Sequence, residues 1–263
     1  LVETHWKTIL EKSQEEKALL KLIQTEFWKL RRKSLFWLML LTALLMPFFA
    51  VIYFRSFGKT DLDPLLFYKW SAFGYTVFMI LPFILGIVCT ILMHEENQAH
   101  VLKQLWIIPI PKTACFFSKF FIVLMYSFCF MLITAAASVL FGIASGCAPF
   151  QWESILFLLK KCLEIAVLSA CSILPILAAA VSQKGYVLPV CIILLYIFFG
   201  FFILPVNLYV HPIASLSAIL AREGKIPGLT LTQTISVPWA LLCIGIWGTA
   251  SVFFATIPLK RKG

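Results

Sequence analysis

Six long apolar runs alternate with short polar segments along the chain. Each run has about 20 residues, the length that a helix needs to cross the hydrocarbon core of a membrane at a rise of about 1.5 Å per residue. We predict membrane spans at residues 34–54, 70–93, 120–143, 162–181, 187–206 and 237–257. Pro47, Pro82 and Pro175 lie inside three of these spans, where proline is expected to kink a helix. The pattern therefore predicts an all-α, polytopic membrane protein with six transmembrane helices.

An amphipathic, basic segment precedes the first span at residues 15–33. Leu19, Ile23, Phe27 and Leu30 fall on one helical face, while basic residues crowd the approach to the membrane. Such a helix is expected to lie in the membrane interface, with aromatic rings at headgroup depth. We predict an elbow helix that feeds the first span and is anchored by Phe27, Trp28, Lys29, Arg31 and Arg32. Residues 1–14 are predicted to form a loose tail, residues 34–257 the membrane domain and residues 258–263 a basic C-terminal tail.

A polar segment, residues 94–119, separates the second and third spans. From about residue 97 to residue 107 its periodicity is that of an amphipathic helix, with Val101, Leu105 and Ile108 on one stripe. Pro109 and Pro111 are expected to end this helix, because the residue before a proline avoids helical geometry. Its charges and histidines favour water at one membrane face. Two interpretations remain: a helix that transmits force from a soluble partner, or an ordinary polar loop.

The composition supports the membrane assignment and excludes other classes. Of the 263 residues, 61% are hydrophobic and only 13% are charged, and the mean hydropathy is +0.95, far above that of soluble domains. The net charge of +10 comes from residues clustered at the ends of apolar runs rather than along one polar face, which argues against a nucleic-acid partner. Eight dispersed cysteines without a C-x-x-C pair are typical of buried apolar thiols, although Cys147 and Cys162 are also candidates for a disulfide.

The distribution of lysine and arginine predicts the topology. With the N-terminus inside, the inner segments hold 15 of these residues and the outer segments hold 7, as the positive-inside rule requires. Both termini and the 94–119 segment are then cytoplasmic. The longest outer piece is residues 207–236, and its apolar stretch 212–220 is too short to span, so we expect a re-entrant or interfacial helix there.

Candidate chemistry is sparse. The chain has no G-x-x-x-x-G-K-[ST] phosphate loop, so any ATP that drives it must bind another polypeptide, and no cofactor or metal site is predicted. Glu95 and Glu96 with His100 allow an alternative interpretation as an intramembrane enzyme similar to the CAAX proteases, although three converging zinc ligands are not evident. Glu164 lies inside a predicted span, where a carboxylate is a candidate functional group. With Lys160 and Lys161 nearby, it is also expected to form a structural ion pair.

The order of a basic elbow, two spans, an acidic-headed cytoplasmic helix ending in proline and lysine, and four further spans resembles the ABC-2 type permeases. Among these the chain is most similar to the lantibiotic and bacitracin immunity permeases. The resemblance rests on Glu95 or Glu96, a short coupling helix through Leu102, Lys103 and Leu105, then Pro109 and Lys119, together with the elbow at residues 20–33. That family often has Gly-Thr where this chain has Ala99 and His100.

The resemblance implies a non-catalytic permease subunit. Its expected partners are a second six-span permease, identical or related, membrane lipid and cytoplasmic ATP-binding subunits that the coupling helix contacts. The implied substrate is an amphipathic antimicrobial peptide, and the implied location is the cell membrane. ATPase-coupling residues by this resemblance are Glu95, Glu96, His100, Leu102, Lys103, Leu105 and Pro109.

Overall fold

A computed structural model describes residues 24, 27–28, 33–56, 63–98, 112–183, 185–222 and 233–261. All regular elements in these ranges are helical, which confirms the predicted all-α class for the described part of the chain. The α-helices are α1 (Ser34–Leu41), α2 (Leu45–Ser56), α3 (Pro64–Tyr68), α4 (Leu81–Gln98), α5 (Lys112–Ala144), α6 (Trp152–Ser172), α7 (Leu174–Ser182), α8 (Val187–Ile203), α9 (Pro212–Ala221) and α10 (Val237–Arg261).

Five helical runs among the described residues are long and apolar enough to cross a membrane: Ser34–Ser56, Pro64–His94, Cys115–Ala144, Trp152–Val181 and Val237–Thr256. They coincide with the first four and the last of the predicted spans, so a multi-pass membrane protein is confirmed. The predicted span at residues 187–206 corresponds to α8, an apolar helix of 17 residues that ends at Ile203. A membrane crossing by α8, the fifth of the six predicted spans, therefore stays a prediction.

The fourth span begins ten residues earlier than the sequence suggested, at Trp152 instead of residue 162. The predicted span begins only after the charged residues Lys160 and Lys161 and contains Glu164 near its start. In the structure Lys161 and Glu164 pair with each other on one helix face, so the helix continues through them. Local ion pairing thus explains why hydropathy alone misplaced this boundary.

Three of the irregular segments inside the spans lie just before a proline. A 3₁₀ turn, Thr42–Leu44, separates α1 from α2 and lies just before Pro47. The π-helical segment Thr76–Ile80 lies just before Pro82, and a second one, Lys69–Phe73, lies further towards the start of the span. The break between α6 and α7 falls at Ile173, two residues before Pro175. A proline removes one backbone donor and crowds the preceding turn, so irregular turns are expected at these places.

The core forms where α5 and α6 pack together and where α9 is enclosed by its neighbours. Residues 212–220 of α9 are all buried, and α9 packs against α6, α8 and α10. An interfacial helix would leave one face exposed to lipid or water. Complete burial argues against the interfacial alternative; the re-entrant alternative stays a prediction, and α9 is called the re-entrant helix from here on.

The two ends of the 94–119 segment were expected in water, and that expectation is wrong. His94 belongs to α4 and Lys119 to α5, and their exposed fractions are 7% and 1%. Both helices extend beyond the predicted apolar runs, since α4 continues to Gln98 and α5 begins at Lys112. Residues 99–111, including His100, Leu102, Lys103, Leu105 and Pro109, lie outside the described residues.

Several other predicted features can be placed only in part. In the elbow segment Phe27 and Trp28 are helical and exposed, at 54% and 62%, whereas Lys29, Arg31 and Arg32 lie outside the described residues. The tail at residues 1–14 also lies outside them, and α10 continues to Arg261. Cys147 and Cys162 are buried and free, so the candidate disulfide is not formed.

Candidate functional site

The end of α4 carries the first part of the predicted coupling region. Glu95 and Glu96 lie in the last turn of this helix, but their side chains are outside the described set. His94, one residue earlier, is buried against Tyr186, which stands directly before α8. The two ring centroids are 3.6 Å apart and the ring planes meet at 35°. Among the described residues neither imidazole nitrogen has a hydrogen-bond partner, and the ring packs against the tyrosine ring.

A buried lysine lies near the beginning of α5. Lys119 is 1% exposed, and its ammonium group donates a hydrogen bond of 3.6 Å to the Sγ atom of Cys115 one turn earlier. A buried charge is costly unless polar groups surround it. Sequence reasoning recognised Lys119 only as the lysine that opens the third span. Its burial depends on the helices around it, which no local pattern reveals.

Glu164 joins two distant parts of the chain. Its carboxylate lies 2.8 Å from the ammonium of Lys161 and 3.0 Å from the guanidinium of Arg222, which follows α9. The ion pair with Lys161 agrees with the interpretation that this acid is paired within its own helix. The ion pair with Arg222 was missed, because the two residues are far apart in sequence. Together these contacts tie the C-terminal end of the re-entrant helix to α6.

His211 begins the re-entrant helix. Its Nδ1 atom accepts a hydrogen bond from the backbone N–H of Ile213 at 3.3 Å, and Pro212 occupies the first helical position. The accepting Nδ1 requires a neutral ring, with the proton on Nε2, and burial lowers the pKa of His211 to about 4. The sequence signal for this cap was a histidine and a proline directly before a short apolar run.

Aromatic rings and a glycine enclose His211. Its ring centroid is 4.3 Å from that of Tyr196, 5.7 Å from that of Phe199 and 6.3 Å from that of Trp247. A Cβ atom added to Gly200 would lie 2.7 Å from Nδ1 of His211. The indole N–H of Trp247 also donates to the carbonyl of Val210 at 2.9 Å. The start of α9 is therefore held between α8 and α10.

An aromatic cleft lies between α2 and the π-helical part of the second span. Its volume is 460 Å³, and its lining residues are Met46, Phe49, Ala50, Ile52, Tyr53, Ser56, Trp70 and Tyr75. The rings of Tyr53 and Trp70 are stacked, with centroids 4.7 Å apart and an interplanar angle of 18°. Trp70 belongs to one π-helical segment and Tyr75 precedes the other. The lining is almost entirely apolar, so the cleft suits the hydrophobic part of a ligand.

The described residues provide no support for the enzyme alternative. Among them, no three His, Cys, Asp or Glu side chains converge as ligands of a metal ion. His94 stacks on Tyr186 and His211 caps α9, so each histidine with described contacts has a packing role. Glu164 is engaged by two cations. The residues that the enzyme alternative itself uses are not among these groups, because the side chains of Glu95 and Glu96 and the whole of His100 lie outside the described set.

Comparison with known proteins gives an independent view of this architecture. The model of the family described as "ABC-2 family transporter protein" matches residues 22–200, which is most of the chain. The comparison with curated proteins gave no match, and neither did the comparison with solved structures. Members of this family are membrane subunits that work with an ATP-binding partner. The chain, with its apolar spans and its match over most of its length, belongs to the ABC-2 family of transporter proteins and is the permease subunit of an ABC transporter.

Proposed function

We propose that this permease expels amphipathic antimicrobial peptides, such as lantibiotics or bacitracin-like compounds, from the membrane. The observation that carries the proposal is the aromatic cleft, which is lined by Phe49, Tyr53, Trp70 and Tyr75. An apolar, aromatic surface within a membrane domain favours ligands that partition into the bilayer over polar solutes. The volume of 460 Å³ is within the range of small-molecule ligand pockets, about 300–1,000 Å³.

The transporter that we propose contains two six-span permeases, identical or related, and cytoplasmic ATP-binding subunits. The segment at residues 99–111 contains most of the coupling helix predicted at about residues 97–107, which contacts an ATPase, with Glu95 and Glu96 at its entrance. The elbow at residues 15–33 lies in the interface, and both termini are cytoplasmic. The excess of lysine and arginine in the inner segments supports this orientation. A membrane-impermeant thiol reagent applied outside should label Lys225→Cys and not Lys103→Cys, and the reverse pattern would contradict the topology.

The substrate is tested in cells that are sensitive to lantibiotics. Expression of the permease with its ATPase should raise resistance to a lantibiotic or to bacitracin, and resistance to an antibiotic with a cytoplasmic target should not change. An ATPase variant that binds but does not hydrolyse ATP should remove the effect. Unchanged resistance to both peptide classes, with both subunits present in the membrane, would contradict the proposed substrate and leave the family assignment intact.

The coupling helix is tested by comparing an apolar side chain with the acids. Leu105→Ala removes a side chain worth about 2–3 kcal/mol if it docks fully into a partner groove. That loss corresponds to a contact with the ATPase weakened by roughly tenfold or more. Glu95→Gln and Glu96→Gln should have mild effects on copurification and resistance. An intramembrane enzyme predicts the opposite ranking, with both glutamate variants inactive and Leu105→Ala functional.

A further inference from the structure

Helix α8 has close contacts with the rest of the protein near both of its ends. At its beginning, Tyr186 stacks on His94, which stands five residues before the 99–111 segment. Near its other end, Gly200 receives His211, the capping residue of the re-entrant helix α9. One helix of 17 residues therefore links the predicted coupling region to the buried re-entrant helix.

The contact at the beginning of α8 is an aromatic stack without hydrogen bonds. His94 is 7% exposed, and within the part of the chain that the structure describes both of its ring nitrogens lack a hydrogen-bond partner. Burial of an imidazole without hydrogen bonds is unfavourable, and a hydrophobic residue would avoid that cost. The ring is nevertheless placed over Tyr186 at a centroid distance of 3.6 Å. Displacement of the end of α4 must therefore either move Tyr186 or break this stack.

The middle of α8 lies directly against α4. A Cβ atom on Gly86 would be 2.8 Å from Cγ2 of Ile193, so a side chain at position 86 would require Ile193 to move. Small residues that let a neighbouring helix approach closely are typical of membrane helices that pack tightly. Because α4 and α8 interlock at this point, α8 is expected to follow displacements of α4 rather than slide past it.

The contact near the end of α8 involves the cap of α9. Gly200 leaves the space that the His211 ring occupies, while Tyr196 contacts the same ring at 4.3 Å. The hydroxyl of Tyr196 donates to the carbonyl of Ser172 at 2.6 Å. Since His211 accepts the N–H of Ile213, displacement of Gly200 acts directly on the first turn of α9.

We propose that α8 transmits movement of the coupling region to the re-entrant helix, with His94, Tyr186, Gly200 and His211 as positioning residues. The inference rests on the proposed coupling role of residues 99–111. The contiguous contacts of α8 give the route, and transmission along it means that both ends bias the same conformational equilibrium. The closing experiment therefore measures movement near α9 while contacts at either end of α8 are altered.

The experiment uses the complete complex of permease and ATPase. Spin labels are attached at Trp152→Cys and Val210→Cys, whose native side chains are 64% and 46% exposed, after the exposed Cys129 and Cys191 are replaced by serine. The distance between the labels is measured without nucleotide and after trapping with ATP and vanadate. The otherwise unsubstituted complex should show a change in distance. No change would overturn the proposal.

At the beginning of α8, His94→Ala and Tyr186→Ala should each reduce the ATP-dependent change to less than half. His94→Phe keeps an aromatic ring without the nitrogens, so it should retain the change. Wild-type changes in both alanine variants would overturn the proposal. If His94→Ala and His94→Phe lose the ATP-dependent distance change equally while the ATPase stays bound, the proposal would also be overturned. The loss would then not depend on an aromatic ring at position 94.

At the other end, Gly200→Ala places a methyl group against the His211 ring and should reduce the change. His211→Asn supplies a smaller side chain that also caps helices well, so the double variant Gly200→Ala/His211→Asn should recover it. Gly245→Ala is the matched control, because a Cβ atom there meets nothing within 4 Å. Equal behaviour of Gly200→Ala and Gly245→Ala would overturn the proposal.

If residues 99–111 do not couple the permease to the ATPase, the result differs from the one expected if α8 does not act on α9. If Leu105→Ala keeps both the ATPase and the full distance change, the proposed role of residues 99–111 is contradicted. The variants in His94, Tyr186 and Gly200 still decide whether α8 acts on α9, because their distance changes are measured with the ATPase bound and do not depend on the identity of the substrate.

Discussion

The carboxylate of Glu164 lies 3.0 Å from the guanidinium of Arg222 and 2.8 Å from the ammonium of Lys161. One acid in α6 is therefore shared by a neighbour on its own helix and by the residue that follows α9. The exposed side-chain fractions are 5% for Lys161, 22% for Glu164 and 34% for Arg222. This cluster anchors one end of the re-entrant helix, whose other end is capped by His211.

Glu164→Gln should destabilise the protein, because it removes the negative charge that both cations contact. We expect a loss of about 1–3 kcal/mol, between the values for exposed and for buried ion pairs. Thermal unfolding in detergent measures the effect. Glu153→Gln is the matched control, since Glu153 is exposed in the first turn of the same helix. Equal unfolding temperatures for the two variants would show that the cluster does not contribute to stability.

Acid should destabilise the packing of His211. Burial lowers its pKa to about 4, whereas an exposed histidine titrates near 6.5. Between these values the unfolded chain binds a proton that the folded protein does not, so stability is fully present above about pH 6.5 and falls towards pH 4 by at most about 1.4 kcal/mol per unit.

The dependence on His211 is isolated by comparing unfolding temperatures of the wild type and His211→Asn from about pH 7.5 to about pH 4.5. The variant keeps a capping side chain but lacks the titrating ring, so its stability should fall less steeply. Parallel curves for the two proteins would contradict the assignment of a neutral, buried histidine. Any slope shared by both proteins belongs to other titrating groups.

Gly86→Ala should weaken the packing between α4 and α8. The added methyl group would lie 2.8 Å from Ile193, and overpacking of a filled core costs about 1–3 kcal/mol. Gly245→Ala adds the same group where no atom lies within 4 Å and should be neutral or slightly stabilising. The double variant Gly86→Ala/Ile193→Ala should recover part of the loss in thermal unfolding. If it recovers none, the clash with Ile193 is not the cause.

Trp70→Ala should reduce peptide resistance if the aromatic cleft binds the substrate. The change removes one ring of the stacked Tyr53–Trp70 pair, and a contribution of about 1.4 kcal/mol to binding would lower affinity about tenfold. Trp239→Ala serves as the control, because Trp239 is exposed and does not line the cleft. The minimal inhibitory concentration of the peptide is measured at matched expression, and equal resistance in both variants would exclude the cleft as the binding site.

Local sequence patterns were sufficient for the features that depend on short stretches of chain. Five of the predicted spans coincide with helices of spanning length, because hydropathy over about 20 residues reflects the thickness of the membrane. The irregular turns near Pro47, Pro82 and Pro175 follow from the missing N–H of proline. The ion pair between Lys161 and Glu164 was also predictable, since residues three apart share a helix face.

The sequence by itself thus determined that the protein is helical and crosses the membrane several times. It also carried the resemblance to the ABC-2 type permeases. Only the tertiary structure decided that Arg222 meets Glu164, that His94 stacks on Tyr186 and that Gly200 makes room for His211. These partners lie far apart in sequence, and their meeting depends on how helices cross and approach. Hydrophobicity is equal on many faces of a membrane helix, so periodicity does not specify which faces touch. Small residues and polar pairs specify those contacts, and they act only once the helices have packed.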